Sequence, residues 1–380
     1  MEQSPGGDQG CDRPDGHKEF DLESFFRERL SAAMEAETPL NIMLVGRAGV
    51  GKSTLVNAIF DEQIAPTGIG AAVTKQVHRY VHDDVPVAVY DTPGIEHGAD
   101  ARQVASYYLS EIKKQLTDED TRIDFALYCV KSSDRRFEPS FEGEIVKALA
   151  KEVLVVLVLT QCPTPGDPRS LKFADHLISL ELPILDGRPF LTLAEEDAVA
   201  GMVLAPFGLA ELVSAIYPRL PEAKRHTLAS YQRVSLELNL AEAKRVVRST
   251  AGQAALIAAT PIPLLDAIPI SGLQIYMLGK ITSTMGFKID PKAIATALAA
   301  VLGIATGART VASFFKIFPG VGSVINAGIA SSMTMALGEA YIAGCEEMIK
   351  RQMGGEVIAQ EDTLREIIKE LPVLRRMRFA

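Results

Sequence analysis

One short stretch of this sequence combines glycine, lysine and serine at a spacing that could bind phosphate. Gly46 and Gly51 permit a tight turn whose backbone N–H groups converge on phosphate oxygens at a helix N-terminus. The Lys52 ammonium can reach the β- and γ-phosphates of a nucleotide, and the Ser53 hydroxyl can ligate Mg²⁺. The residues that we expect to line the phosphates are Gly46, Arg47, Ala48, Gly49, Val50, Gly51, Lys52, Ser53 and Thr54.

A carboxylate follows a second apolar run and could complete a metal site. Asp91 opens the segment Asp-Thr-Pro-Gly, which ends at Gly94. We expect Asp91 to hold Mg²⁺ through a water molecule and the Gly94 N–H to face the γ-phosphate. In the flexible loop between the two motifs, Thr74 is the first candidate for a threonine that closes on the metal, and Thr67 is the second. The predicted metal ligands are Ser53, Thr74 and Asp91, and the predicted catalytic residues are Lys52, Thr74 and Gly94.

Strand-like and helix-like runs alternate around these motifs. The predicted strands are 40–45, 76–82, 86–90, 124–130, 152–160 and 188–193. The predicted helices are 52–60, 101–116, 139–150, 168–179 and 208–218. Such alternation indicates a mostly parallel sheet covered by helices on both faces, with ligands beyond the carboxyl ends of the strands. The predicted fold is therefore α/β, a P-loop NTPase domain, followed by an all-α helical domain.

The motifs Gly46–Ser53, Thr74 and Asp91–Gly94 together resemble those of the Era-like group of small GTPases. The resemblance implies GTP or GDP and Mg²⁺ as ligands. It also implies a base-reading motif, Asn/Thr-Lys-x-Asp, after the apolar run 153–159. Here Thr160 matches that motif, Gln161 replaces the lysine and Pro163 stands where the aspartate is expected. Asp167 could supply the missing carboxylate, and a preference for ATP stays open as an alternative.

The residue after Gly94 bears on the rate of hydrolysis. Ras-type enzymes place a glutamine there to orient the attacking water, whereas this chain has Ile95. An apolar side chain cannot orient water, so we predict slow intrinsic hydrolysis. Arg47 and His97 are local candidates for transition-state help, although a solvated charge and a loop residue are the simpler interpretations.

Length and composition indicate a folded protein with more than one domain. The chain has 380 residues, 47% of them hydrophobic, and a net charge of −9. The first 18 residues lack the apolar core of a signal peptide, and the four cysteines are widely scattered, so we expect a cytoplasmic protein with reduced thiols. An acidic front half argues against nucleic-acid binding. The expected segments are a disordered leader (1–20), an N-terminal helix (21–37), the GTPase domain (38–220), an apolar Ala/Gly-rich helical domain (221–354) and an amphipathic helix (355–380).

The back half is poor in charge. From Ser249 to Gly338 the charged residues are Asp266, Lys280, Lys288, Asp290, Lys292, Arg309 and Lys316. A soluble stretch of that length carries about 22 charges. The uncharged run 317–338 is long enough to span a bilayer by the usual count of about 20 residues, although it is only moderately apolar. Residues 241–341 resemble the helical domain of unknown function number 697 that follows Era-like GTPase domains, which implies an α-helical appendage associated with membranes. Dynamin-like and immunity-related GTPases offer a looser likeness.

These observations support two hypotheses. The first is a GTP-binding switch, a slow GTPase whose helical domain docks on a membrane surface or bilayer through 249–345, on a protein partner, or on a second copy. The second is a membrane or scaffold protein in which nucleotide binding is structural and hydrolysis is vestigial. Guanine nucleotide is the expected ligand in both, and the protein is expected in the cytoplasm or at a membrane.

Overall fold

The computed structural model describes residues 38–66, 77–93, 100–115, 121–199, 202–259, 267–287 and 327–353. Three predicted segments, the leader at 1–20, the helix at 21–37 and the helix at 355–380, lie outside these residues.

The described residues form a central sheet followed by a helical bundle. The strands are β1 Leu40–Gly46, β2 His78–Val81, β3 Val87–Asp91, β4 Phe125–Lys131, β5 Leu154–Thr160, β6 Phe190–Leu191, β7 Asp197–Val199 and β8 Met202–Leu204. The helices are α1 Lys52–Phe60, α2 Ala101–Gln115, α3 Glu142–Leu149, α4 Pro168–Ser179, α5 Leu209–Ile216, α6 Glu222–Tyr231, α7 Leu236–Ala259, α8 Ala267–Thr284 and α9 Ala327–Met353. The six-stranded sheet has the order β2-β3-β1-β4-β5-β6, and β2 alone runs antiparallel to its neighbour. The prediction of a mostly parallel sheet is confirmed.

Continuous apolar runs explain why the central strands are buried on both faces. One face of the sheet packs against apolar residues of α1, α5 and α6, and the other packs against those of α2, α3 and α4. The strand register aligns Leu44 of β1 with Asp91 of β3, and Gly46 with Cys129 of β4. Because parallel strands end at the same edge, the motifs that follow β1, β3 and β5 meet there.

The structure departs from the sequence prediction at two places. The helical stretch expected from residue 220 to near Val247 is divided into α6 and α7 by an extended residue, Gln232. The Gln232 side-chain oxygen accepts hydrogen bonds from the N–H groups of Val234 (2.9 Å) and Ser235 (2.8 Å), which turns the chain before α7 begins. The antiparallel pair β7–β8 was not predicted, because its short runs lack a clear alternation.

Helices α7, α8 and α9 share a separate apolar core. The α7 and α9 backbones approach closely at Gly338, where a Cβ atom would lie 2.4 Å from a methyl group of Val247. Polar groups also bridge the bundle, since the hydroxyls of Thr282 and Tyr341 are 2.8 Å apart. Among the described residues, no helix has the length and hydropathy needed to span a membrane.

Helix α6 lies beyond the expected domain boundary at residue 220 and packs under the sheet. The Lys224 ammonium is 3.2 Å from the buried carboxylate of Asp124, at the start of β4. The Asn41 N–H donates to the same carboxylate at 2.8 Å. Just after α6, the Arg233 N–H donates to the carbonyl of Ile59 at 2.9 Å, near the end of α1. Helix α6 thus connects the sheet to the bundle.

Candidate nucleotide site

The loop after β1 has a backbone that only glycine accommodates at its first position. Gly46 has a φ of 143°, and a Cβ atom there would lie 2.4 Å from the carbonyl oxygen of Cys129 in β4. Gly49 and Gly51 also have positive φ values, 73° and 89°. A side chain at any of these positions would strain the backbone. These glycines bring the loop to the edge of the sheet where α1 begins.

The N-terminus of α1 suits an anion. Gly51 is its N-cap residue, and no side chain among the described residues caps it. Backbone N–H groups in the first turn of a helix have no partner within that helix, and they favour a negatively charged ligand. Ser53 and Thr54 lie in this first turn. The predicted phosphate-binding residues are thus brought together.

Lys52 already lies over the loop. Its ammonium donates to the carbonyl oxygens of Gly46 at 3.2 Å and Arg47 at 3.1 Å. Both acceptors are neutral, and a phosphate oxygen would be a stronger acceptor for a cation. The ammonium is therefore held next to the place where the helix N-terminus favours an anion.

The surroundings of Asp91 show whether the residues at this edge of the sheet fit a metal ion. Its Oδ1 atom is buried without a hydrogen-bond partner among the described residues. Burial raises the pKa of Asp91, although the charges of Lys52 and His78 oppose the rise. A buried carboxylate oxygen with no partner fits a hydrated Mg²⁺ ion, whose preferred ligands are oxygens. Asp91 and Ser53 are the described residues that could serve it.

The segment after Asp91 is fixed by its neighbours. The Thr92 hydroxyl donates to the Leu44 carbonyl at 2.7 Å, and the Tyr108 hydroxyl donates to the Pro93 carbonyl at 2.9 Å. These bonds hold the chain that leads to Gly94. The predicted residues Gly94, Thr74, Thr67, Ile95 and His97 lie outside the described residues.

The loop after β5 rests on the phosphate loop. The Thr160 hydroxyl lies 2.5 Å from the Val50 carbonyl oxygen and donates to it. Gln161 has a positive φ of 54°, and its side-chain nitrogen lies 3.4 Å from where a Cβ of Gly51 would be. The Cys162 N–H donates to the Thr192 carbonyl at 3.0 Å. The predicted nucleotide-binding residues Thr160 and Gln161 therefore lie beside the phosphate loop.

Asp167 has a local structural task. Its Oδ2 atom accepts hydrogen bonds from the Ser170 N–H and hydroxyl, both at 2.8 Å, and so caps α4. These bonds lower the pKa of Asp167. The idea that Asp167 reads the base stays a prediction.

Arg47 is not the solvated charge that the sequence suggested. Its guanidinium Nη2 lies 3.4 Å from Oε2 of Glu142 and 3.8 Å from Oε1 of Glu138. The Glu142 side chain is only 2% exposed, at the start of α3. Sequence reasoning missed Glu142, because nothing in its spacing relative to the phosphate loop links it to Arg47.

The residues of this site lie in a part of the chain that is similar to known GTPases. Residues 41–161 match the family described as "50S ribosome-binding GTPase". GTPase Era of Deinococcus deserti is 28% identical over 183 residues, covering 48% of this chain and 54% of that protein. Septin-9 of Mus musculus is 25% identical over 169 residues, covering 38% of this chain and 29% of that protein.

A solved structure of Aquifex aeolicus Era bound to GDP and aluminium fluoride is also similar. It is 22% identical, has a TM-score of 0.34, and covers 56% of this chain and 67% of that chain. The chain spans about half of the Era protein that it matches and less than a third of the septin.

Proposed function

We propose that this chain, whose residues 41–161 form an Era-like GTPase domain, is a guanine-nucleotide switch that hydrolyses GTP slowly. One observation supports this most directly. The Lys52 ammonium and an Asp91 carboxylate oxygen lie at the same edge of the sheet, beside the N-terminus of α1, and among the described residues this oxygen has no partner and this helix end no side-chain cap. A cation, a helix N-terminus and a metal-seeking carboxylate are the parts that a Mg²⁺–nucleotide complex needs.

In this proposal each residue has one role. The loop from Gly46 to Thr54 binds the phosphates, and Lys52 neutralises the β- and γ-phosphate charge. Ser53, Asp91 and Thr74 would hold Mg²⁺, which would offset the negative charge that develops on the phosphates during transfer. Gly94 contributes its N–H to the γ-phosphate.

The slow rate rests on Ile95, which cannot orient water. Arg47 does not supply the missing help, because Glu142 and Glu138 already pair with its guanidinium. A single-turnover assay of the full chain with Mg²⁺ tests this. We expect hydrolysis over many minutes, and rapid turnover without a partner would contradict it.

Calorimetric titration with GDP and with ADP tests the base. We expect GDP to bind at least tenfold more tightly, a difference of about 1.4 kcal/mol. Thr160 and Gln161 are the proposed base-side contacts. Equal affinities, or a preference for ADP, would contradict the proposal. Lys52→Ala is the control, and should lose most affinity for both nucleotides if binding uses the phosphate loop.

The helical bundle is the proposed output element, which docks on a membrane surface or on a protein partner according to the nucleotide bound. A direct hydrogen bond supports this proposal: the N–H of Arg233, just before the bundle, donates to the carbonyl of Ile59, near the end of α1. Flotation with anionic vesicles, with GDP or with a slowly hydrolysed GTP analogue, tests the membrane form. Binding that does not depend on the nucleotide would contradict the switch.

A further inference from the structure

We infer that Glu142 is a positioning residue for the phosphate loop, acting through Arg47. The inference rests on the proposed function, since it assigns a part of the same nucleotide site. It gives Arg47 a role other than touching the transition state, and it gives α3 a role that its sequence does not suggest.

Helix α3 fixes Glu142 firmly. Ile145, Val146 and Leu149 are fully buried against the sheet, so the helix has little freedom to move. The carboxylate is held as well, because its Oε2 atom accepts the Glu138 N–H at 2.8 Å. Glu142 thus holds a buried carboxyl group in a fixed position beside the phosphate loop.

Arg47 is the only cation that the described contacts of Glu142 include. It is the second residue of the phosphate loop, and its backbone carbonyl receives the Lys52 ammonium at 3.1 Å. The Arg47 side chain therefore points to α3 while its backbone faces Lys52. Fixing the side chain fixes the peptide group on which Lys52 rests.

Two buried polar groups near the Arg47–Glu142 pair lack hydrogen-bond partners among the described residues. Arg47 Nε and the Tyr128 hydroxyl are buried, with no hydrogen-bond partner among the described residues. If Glu142 lost its charge, the guanidinium would keep only its longer ion pair, at 3.8 Å, with Glu138. Glu138 is 42% exposed and pairs with Arg136, so it offers a more mobile anchor. The expected result is a loop that samples other positions and holds phosphate less well.

A double-mutant cycle measures the proposed coupling. The full chain would be prepared as wild type, Glu142→Gln, Arg47→Gln and the double variant, and the Kd for a fluorescent GDP analogue would be measured with Mg²⁺. We expect each single variant to weaken binding about tenfold, because each removes one charge of a partly buried ion pair. The double variant should be no weaker than the worse single variant. Multiplication of the two losses, to about a hundredfold, would overturn the inference.

Glu144→Gln is the matched control. Glu144 lies on the same helix and pairs with Lys147 at 3.1 Å, but both side chains are more than half exposed. We expect its Kd to change by less than about twofold, as for exposed ion pairs. A loss equal to that of Glu142→Gln would mean that damage to α3, and not the pair, weakens binding, and would overturn the inference.

Two further measurements separate positioning from catalysis and from folding. In the Glu142→Gln and Arg47→Gln variants, the single-turnover rate at saturating GTP should fall by a smaller factor than the affinity does. A large fall in rate with unchanged affinity would make Arg47 a catalytic residue and would overturn the inference. Should Glu142→Gln fail to fold, Arg47→Lys serves in its place. Lysine keeps the positive charge but lacks the planar guanidinium, so we expect the affinity for the GDP analogue to be about threefold weaker. Unchanged affinity would overturn the inference. Absence of nucleotide binding by the wild type would instead refute the proposed function.

Discussion

Two partly buried aspartates should respond in opposite ways to the same substitution. Asp91 and Asp124 both have a pKa raised by burial. Asp124 is paired with Lys224 and accepts the Asn41 N–H, whereas Asp91 keeps an oxygen with no partner among the described residues. Asp91→Asn should therefore stabilise the nucleotide-free protein, and Asp124→Asn should destabilise it.

The sign for Asp91 follows from its buried oxygen, which has no hydrogen-bond partner among the described residues, and its raised pKa agrees with it. A folded-state pKa above the usual value means that the folded protein binds the proton more tightly than the unfolded chain does. Stability is then lost as pH rises from the unfolded pKa through the folded pKa, so at pH 7 the ionised Asp91 costs free energy. The neutral amide removes that cost. We expect a gain of about 1 kcal/mol, or about 2–4 °C in Tm for a domain of this size.

Asp124→Asn has the opposite sign although burial also raises the pKa of Asp124, because its carboxylate lies 3.2 Å from the Lys224 ammonium, whereas Asp91 keeps an oxygen with no hydrogen-bond partner among the described residues. It leaves the Lys224 ammonium buried without its anion, and removing one partner of a buried pair costs about 3 kcal/mol. Differential scanning fluorimetry of the nucleotide-free chain, in EDTA at pH 7, compares both variants with the wild type. A Tm below that of the wild type for Asp91→Asn would refute the reasoning.

Mg²⁺-dependent nucleotide binding should be weakened by Asp91→Asn, the variant that we expect to be more stable, and kept by Asp124→Asn. Asp91→Asn should lose most of the increase in GTP affinity that Mg²⁺ gives the wild type, since a neutral amide is a poor partner for hydrated Mg²⁺. Asp124→Asn should keep that increase, because Asp124 lies at the opposite edge of the sheet, where β4 begins. Titrations with Mg²⁺ and with EDTA measure it. A Mg²⁺ effect of wild-type size in Asp91→Asn would show that the carboxylate does not serve the metal.

Three other substitutions test separate parts of the fold. Gly338→Ala should lower the free energy of unfolding, measured in urea, by about 1–3 kcal/mol, because its Cβ would meet the Val247 side chain. Adding Val247→Ala should recover part of this loss, and additive losses would contradict the contact. Gly46→Ala should abolish measurable GDP binding, since its Cβ would lie 2.4 Å from the Cys129 carbonyl, and affinity within tenfold of wild type would refute this. Thr160→Val should weaken GDP binding about tenfold by removing the bond to the phosphate loop, and calorimetry that finds no change would contradict it.

Much of the front half could be predicted from local pattern. Strands such as β5 are uninterrupted apolar runs, and helices such as α4 carry a clear apolar stripe with a cap at Asp167. The glycines of the phosphate loop are readable because their spacing is dictated by backbone geometry around an anion. Asp91 could be placed at the edge of the sheet because it directly follows an apolar run.

The contacts that could not be predicted join residues far apart in sequence. Arg47 and Glu142 are 95 residues apart, and no periodicity connects them. The break between α6 and α7 depends on Gln232 bonding to the backbone just ahead of it, a tertiary detail that helix propensity does not reveal. Likewise, α6 looks like part of the apolar back half, yet Lys224 is fixed by Asp124 under the sheet.

The position of α1 has a mechanical consequence. With 9 residues it is a stiff rod about 13 Å long, which begins at Lys52 and ends at Phe60. Its far end is bonded directly to Arg233 through the Ile59 carbonyl, without a flexible linker between them. A displacement of α1 along its own axis would move Arg233 by a similar amount. In the proposed switch, a shift of α1 on phosphate binding would reach the bundle through this bond.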